Sequence, residues 1–179
     1  TREEILAGLE VDESVYREAN RRFPVRWPSY YLELAETPEI ARMGRPTTGE
    51  WQPDPGDIAD PIADQYQRPV PFVVRKHRDR VILLVTKRCH FYCRFCFRRE
   101  KVGEGSETLN DDELLQAIDY IKSDENIWEV ILTGGDPLFL SVNRLTKILK
   151  LLENIDHLKV IRFHTRVPIV SPELINEKL

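Results

Sequence analysis

"VILLVTKRCHFYCRFCFRRE", residues 81–100, is the stretch whose reading decides the fold of this chain. Its first five residues, Val81 to Val85, form a short continuous apolar run, the pattern of a strand buried on both faces. The loop that follows at once holds Cys89, Cys93 and Cys96, all three cysteines of the chain. If the run is a parallel strand, those thiols sit at its C-terminal end, where such sheets present their ligands.

Downstream, the pattern is regular. Asn110-Asp111-Asp112 offers an N-cap to a helix whose Leu114, Leu115, Ile118 and Ile121 share one face. Glu129 to Thr133 reads as a second strand, ended by Gly134-Gly135-Asp136-Pro137. A second helix carries Leu145, Ile148, Leu149 and Leu152, and Leu158 to His164 reads as a third strand. Strand, helix, strand, helix, strand implies an α/β fold with a parallel sheet and right-handed crossover helices. The cysteine loop, Gly134-Gly135-Asp136 and Thr165-Arg166 all fall at strand ends in this reading.

Upstream the character changes. Nine prolines between Pro24 and Pro71 interrupt any long helix, so residues 1–72 are expected to form short helices joined by extended segments. Tyr30 to Ala35 reads as one or two helical turns, and Thr1 to Glu4 has the form of a capping box. Residues 73–179 make the second region. Glu173 to Leu179 reads as an unfinished helix, and the chain as a fragment.

The 179 residues suffice for one ordinary domain. No run approaches the roughly eighteen apolar residues of a membrane span. The N-terminus lacks a secretory pattern, so clustered thiols point to a reducing, cytoplasmic setting rather than to a disulfide framework. Net charge is −4, but unevenly spread: residues 1–64 hold 7 Lys and Arg against 14 Asp and Glu, and residues 75–101 hold 10 against 2. The basic stretch surrounds the cysteines and predicts an anionic ligand. Phosphate or carboxylate groups of small molecules suit it, and so does RNA in a non-enzymatic metal-binding module; the bland alternative is a solvated basic face.

Cys89-x3-Cys93-x2-Cys96 supplies three thiolates from one loop, whereas a [4Fe–4S] cube takes four ligands. Three thiolates leave one iron open to a chelating substrate. A structural zinc would want a fourth protein ligand, and His90, adjacent to Cys89, is awkwardly placed to provide it.

The three-cysteine spacing with Phe95 before the last thiol resembles the radical S-adenosylmethionine (SAM) enzymes. That resemblance implies a partial (β/α) barrel, a [4Fe–4S] cluster on Cys89, Cys93 and Cys96, and SAM on the open iron. It further implies that Gly134, Gly135 and Asp136 receive the amino group of SAM. A closer resemblance runs through Asp60-Pro61, Cys93-Arg-Phe-Cys-Phe-Arg-Arg99, Gly134-Gly-Asp-Pro-Leu138 and Arg166-Val-Pro168 to the lysine 2,3-aminomutase family. It implies pyridoxal 5′-phosphate holding the migrating nitrogen as an imine, and Arg98 pairing with the carboxylate of a lysine-like amino acid. Arg166 then meets the carboxylate of SAM, and Arg80 helps to hold the cofactor phosphate. The motif that precedes Arg80 departs from the family at His77, where a tyrosine is usual. The resemblance also implies a flavodoxin or ferredoxin as electron donor. An open sheet ending at strand three leaves an unpaired edge, so this chain is expected to aggregate, to self-associate as a homo-oligomer, or to need a further half. The branch that makes β-lysine for elongation factor P modification, arginine or glutamate aminomutases, and a radical enzyme without pyridoxal phosphate are the other readings open at this point.

Overall fold

The computed structural model describes residues 2–52, 54–103 and 108–177. Five short elements precede the sheet: helices α1 (Arg2–Gly8), α2 (Glu13–Arg22), α3 (Ser29–Leu34) and α4 (Pro38–Gly44), then a 3-10 turn at Thr48–Trp51. The expected helix at Tyr30 is thus α3; the expected cap at Thr1 lies outside the described residues. Asp12 caps α2 by accepting the Ser14 amide, and Pro38 opens α4 at a position where a missing N–H costs nothing.

The sheet has four strands in the order β1 (Val73–Val74), β2 (Arg80–Thr86), β3 (Glu129–Gly134) and β4 (Val160–Phe163). Pairs β2–β3 and β3–β4 are parallel, and β1 adds an antiparallel edge that sequence periodicity had not marked. The crossovers are α5 (Asp111–Lys122) and α6 (Val142–Glu153). Asn110 and Glu113 form a reciprocal capping box on α5, and Ser141 caps α6.

Alternation along the strands divides the sheet into two faces. Val81, Leu83, Val85, Val130 and Leu132 pack with Leu114, Ile118 and Ile121 of α5 and Leu145, Ile148 and Leu152 of α6 in the main core. The opposite face carries layers that follow the register: Arg80, Glu129 and Val160 at the bottom, Ile82, Ile131 and Arg162 in the middle, Leu84 and Thr133 above. The cysteine loop lies at the upper end, beyond Thr86. This is the mixed α/β sheet expected of a partial barrel.

A second apolar cluster joins the N-terminal elements to the loop: Leu6, Leu9, Tyr31 and Ala41 share it with Phe91 and with Val170 of α7 (Val167–Val170). After α7 the chain makes a 3-10 turn at Pro172–Leu174, and residues 175–177 of the segment read as an unfinished helix are not helical. Pro172 lacks the N–H that would extend α7 through this point. No helix among the described residues is long and apolar enough to cross a membrane.

Candidate active site

Beyond β2 the chain turns through Thr86, whose hydroxyl accepts the Arg88 amide at 3.1 Å. Gly103 closes the loop by donating to the Lys87 carbonyl at 2.8 Å. Between these points the loop is held from two directions. From the sheet side, Gly135 donates to the Thr86 carbonyl at 2.6 Å and Asp136 to the Arg88 carbonyl at 2.9 Å. This approach leaves no room for side chains: a Cβ on Gly134, which has φ +116°, would lie 2.4 Å from the Thr86 oxygen, and one on Gly135 would lie 2.3 Å from the Arg88 oxygen. The glycine pair is therefore required by the docking of β3 against the root of the cysteine loop.

From the N-terminal side, Arg94 is the fastener. It lies between Cys93 and Cys96, is only 7% exposed, and donates to Glu50 at 2.6 Å and to the Phe23 and Pro24 carbonyls at 3.3 and 2.8 Å. Its backbone N–H donates to the Met43 carbonyl, and Arg99 adds a second contact to Glu50 at 2.9 Å. Burial alone would push the Glu50 carboxyl up, but hydrogen bonds from Arg94 and Arg99 hold it below the usual range.

The result is one cavity of about 470 Å³ at the upper end of the sheet. Its walls include Cys89, Cys93, Cys96, Arg98, Gly134, Gly135, Asp136 and Arg166, which is every site residue expected from the sequence except Arg80. Phe23, Tyr92 and Val102 back two of the thiols in an apolar cluster with Cys89 and Cys96. All three cysteines are unpaired, and burial pushes each thiol above its ordinary range. The Arg166 charge opposes the shift at Cys93, and the Arg98 backbone N–H and charge, with Arg99 and Arg94, oppose it at Cys96.

The thiols share a wall rather than a point: among the described residues no three His, Cys, Asp or Glu side chains gather closely enough to hold a single ion. A [4Fe–4S] cluster takes one thiolate on each iron it offers to the protein, so a wall of three separate thiols in a roomy cavity fits the donor set of such a cluster. His90 does not line the cavity; its ring lies against Phe139, with centroids 4.8 Å apart.

Two of the expected residues have surroundings that the sequence did not indicate. Asp136 is not a free carboxylate. It accepts from the Leu138 amide, from the Thr165 hydroxyl shared between its two oxygens, and from the Arg166 amide, at 2.7 to 3.0 Å, so both oxygens are engaged. It ties the end of β3 to the end of β4 and so sets where Arg166 stands. Arg80 is not brought to this cavity. It occupies the bottom layer, paired with Asp79 at 3.1 Å and Glu129 at 3.4 Å and stacked on Trp128, because a residue that opens a parallel strand lies at the end away from the ligand.

Arg166 itself is exposed, has no ion-pair partner among the described residues, and lies over the Phe95 ring at 5.4 Å. Besides Arg80, half of the cations of residues 75–101 are paired from within: Lys76 and Arg98 with Asp64, Arg94 and Arg99 with Glu50, Arg75 with Asp124. Two upstream carboxylates, Glu50 and Asp64, thus account for part of the charge asymmetry by pairing with four cations of the basic stretch. Glu50 and Asp64 were not legible as site residues, since no local pattern links them to arginines 34 to 49 positions away.

The model of the radical SAM superfamily matches residues 83–177, the sheet and loop just described. The chain belongs to the radical SAM superfamily. Membership in this superfamily implies an iron–sulfur cluster and SAM. Among curated proteins, the chain is 33% identical to the L-lysine 2,3-aminomutase of Clostridium subterminale, over 84% of this chain and 37% of that protein. It is 32% identical to the L-lysine 2,3-aminomutase of Methanococcus maripaludis, over 96% and 42% of the two chains. It is also 30% identical to the glutamate 2,3-aminomutase of Clostridioides difficile, over 99% and 43%. This radical SAM chain spans about two fifths of the length of those relatives.

Proposed function

We propose that the protein carrying this chain is a radical SAM 2,3-aminomutase that moves the amino group of lysine, or a lysine-like amino acid, from C2 to C3. The observation that carries this reading is the single cavity in which three unpaired thiols face two arginines, Arg98 and Arg166. Cys89, Cys93 and Cys96 would hold a [4Fe–4S] cluster. When bound, the cluster with SAM supplies one-electron chemistry at a C–H bond, and pyridoxal 5′-phosphate supplies the carbonyl carbon that carries the migrating nitrogen.

Arg166, uncommitted and raised over Phe95, offers a carboxylate partner to SAM at the mouth of the cavity. Gly134 and Gly135 line the cavity, and their backbone takes the amino group of SAM. Arg98 takes the substrate carboxylate, where a planar fork suits bidentate pairing. Arg80 is left out of the cofactor assignment, since Asp79 and Glu129 occupy it. The electron comes from a small redox protein of the flavodoxin or ferredoxin type, in a reducing, cytoplasmic setting.

The test is anaerobic reconstitution with iron and sulfide, followed by separate incubation with lysine and with glutamate in the presence of SAM, reductant and pyridoxal phosphate. About four irons per chain, lost in Cys93→Ala, and β-lysine detected by mass spectrometry are expected. The glutamate relative supports a second reading at the far end of the substrate, and β-glutamate in its place would favour it. Tight zinc instead of iron, or an intact cluster in Cys93→Ala, would overturn both.

A further inference from the structure

Beside the thiol cavity lies a smaller one of about 140 Å³, lined by Asp60, Asp64, Arg68, Lys101 and, in the shared wall, Phe97, Arg98 and Gly134. Asp64 is 4% exposed, which is unusual for a carboxylate of an irregular surface segment. Its Oδ2 accepts from Arg98 Nε at 2.8 Å, and Lys76 Nζ lies 2.9 Å from Oδ1. The Lys76 contact lacks hydrogen-bond alignment, so Arg98 is the directional partner of this carboxylate.

The backbone is shaped to deliver Asp64 to this place. Ala63 adopts φ +56°, the left-handed region that a non-glycine residue enters at a cost of about 1 kcal/mol or more. The Asp60 carboxylate then accepts the amides of Asp64 and Gln65 at 3.0 and 2.8 Å and locks the turn.

Arg98 is consequently fixed on two sides, by Asp64 at its Nε edge and by the Phe97 ring 4.8 Å from its guanidinium carbon. Its two terminal nitrogens have no partner among the described residues, and the side chain stands in the wall between the two cavities. A guanidinium held by Nε can present only its terminal pair as a fork. Lys76 supplies the second positive charge that keeps Asp64 from cancelling the attraction of Arg98 for an anion.

We infer that Asp64 is the positioning residue for Arg98: it sets the plane of the guanidinium so that the terminal nitrogens face a substrate carboxylate in the thiol cavity. This rests on the proposed role of Arg98, and two measurements separate the two claims. The first needs no ligand. In the metal-free protein, nitrogen-15 NMR of arginine side chains, with the Arg98 signal identified by its loss in Arg98→Lys, should show the Arg98 Nε–H protected from exchange at least tenfold relative to exposed Arg26. Asp64→Asn should remove that protection. Exchange of Arg98 as fast as Arg26 in the unaltered protein overturns the positioning claim, whether or not the variant folds. The second is equilibrium dialysis of labelled lysine against protein loaded with cluster and SAM. Asp64→Asn is expected to weaken binding about tenfold with iron content and SAM affinity unchanged, and Asp64→Glu to recover part of the loss. Weakening by Arg98→Lys but not by Asp64→Asn also overturns the positioning claim; a protected Nε–H with lysine binding indifferent to Arg98→Lys overturns the carboxylate role instead.

Discussion

Glu50 and Arg94 meet at 2.6 Å although 44 residues separate them, and both side chains are more than nine-tenths buried. Their contact fastens the middle of the cysteine loop to the N-terminal region. Breaking a buried pair by removing one partner leaves the other charge without compensation. Arg94→Met is therefore expected to destabilise the protein by about 3 kcal/mol, read in a urea melt. A loss below about 0.5 kcal/mol would show that Arg99 alone suffices to hold Glu50.

The same pair gives a pH dependence. The Glu50 carboxyl lies below its ordinary value in the folded protein, so its contribution to stability is fully present above the unfolded value and fades as pH falls through the folded one. The melting-temperature gap between the unaltered protein and Glu50→Gln should be largest near neutrality and should shrink below about pH 4.5. A gap that widens on acidification contradicts the assignment.

Gly134→Ala and Gly135→Ala each drive a methyl group into backbone carbonyls at the root of the loop. Neither the Thr86 nor the Arg88 oxygen can yield without moving the loop. We expect each to cost about 2 kcal/mol or more and to reduce iron uptake, measured by denaturant melts and metal analysis. Normal iron content at normal stability in either variant would mean that the loop docks on β3 less closely than found.

Asp136→Ala tests a different role. It leaves the Thr165 hydroxyl and the Arg166 amide without their acceptor, at a cost of about 1–3 kcal/mol. Because Arg166 loses its anchor while the thiols keep theirs, SAM affinity should fall and iron loading should persist. Loss of iron with unaltered SAM affinity in the residual holoprotein is the opposite outcome and would place Asp136 with the thiols.

Arg80→Gln probes the bottom layer. Glu129 is fully buried, and its remaining cationic neighbour would be Arg162, at 2.6 Å but without hydrogen-bond alignment. The expected result is a loss of stability of about 1–3 kcal/mol, with the affinity for pyridoxal phosphate, followed by its absorbance, unchanged. A selective loss of cofactor affinity would restore Arg80 to the site.

What could be read from the sequence follows a physical division. Val81–Val85 and Glu129–Thr133 were legible because strands buried on both faces are nearly continuous in apolar residues, and the helices between them repeat at helical spacing. Cys89, Cys93 and Cys96 stood out because of their close spacing in one loop, and the structure brings them to one cavity. Val73–Val74 was not, being too short to show a period. Asp136 was seen as part of a motif but not as a hub, since its partners Thr165 and Arg166 come 29 and 30 residues later. Glu129 read as the polar start of a strand, yet it is fully buried, because Arg80 and Arg162 arrive beside it only when the strands align. Sequence periodicity reports which way a side chain points; it is silent on which distant charge will be waiting there.

The loop's fastenings also have an order in time. Phe23, Pro24, Met43, Glu50 and Asp64, which together hold Arg94, Arg98 and Arg99, all precede Cys89, whereas Gly135 and Asp136, which hold Thr86 and Arg88, follow it by more than forty residues. Chains emerge from the ribosome N-terminus first. The counter-charges are therefore already outside when the thiols appear, and the nascent loop can be seated on one side before the strand that seals the other has emerged.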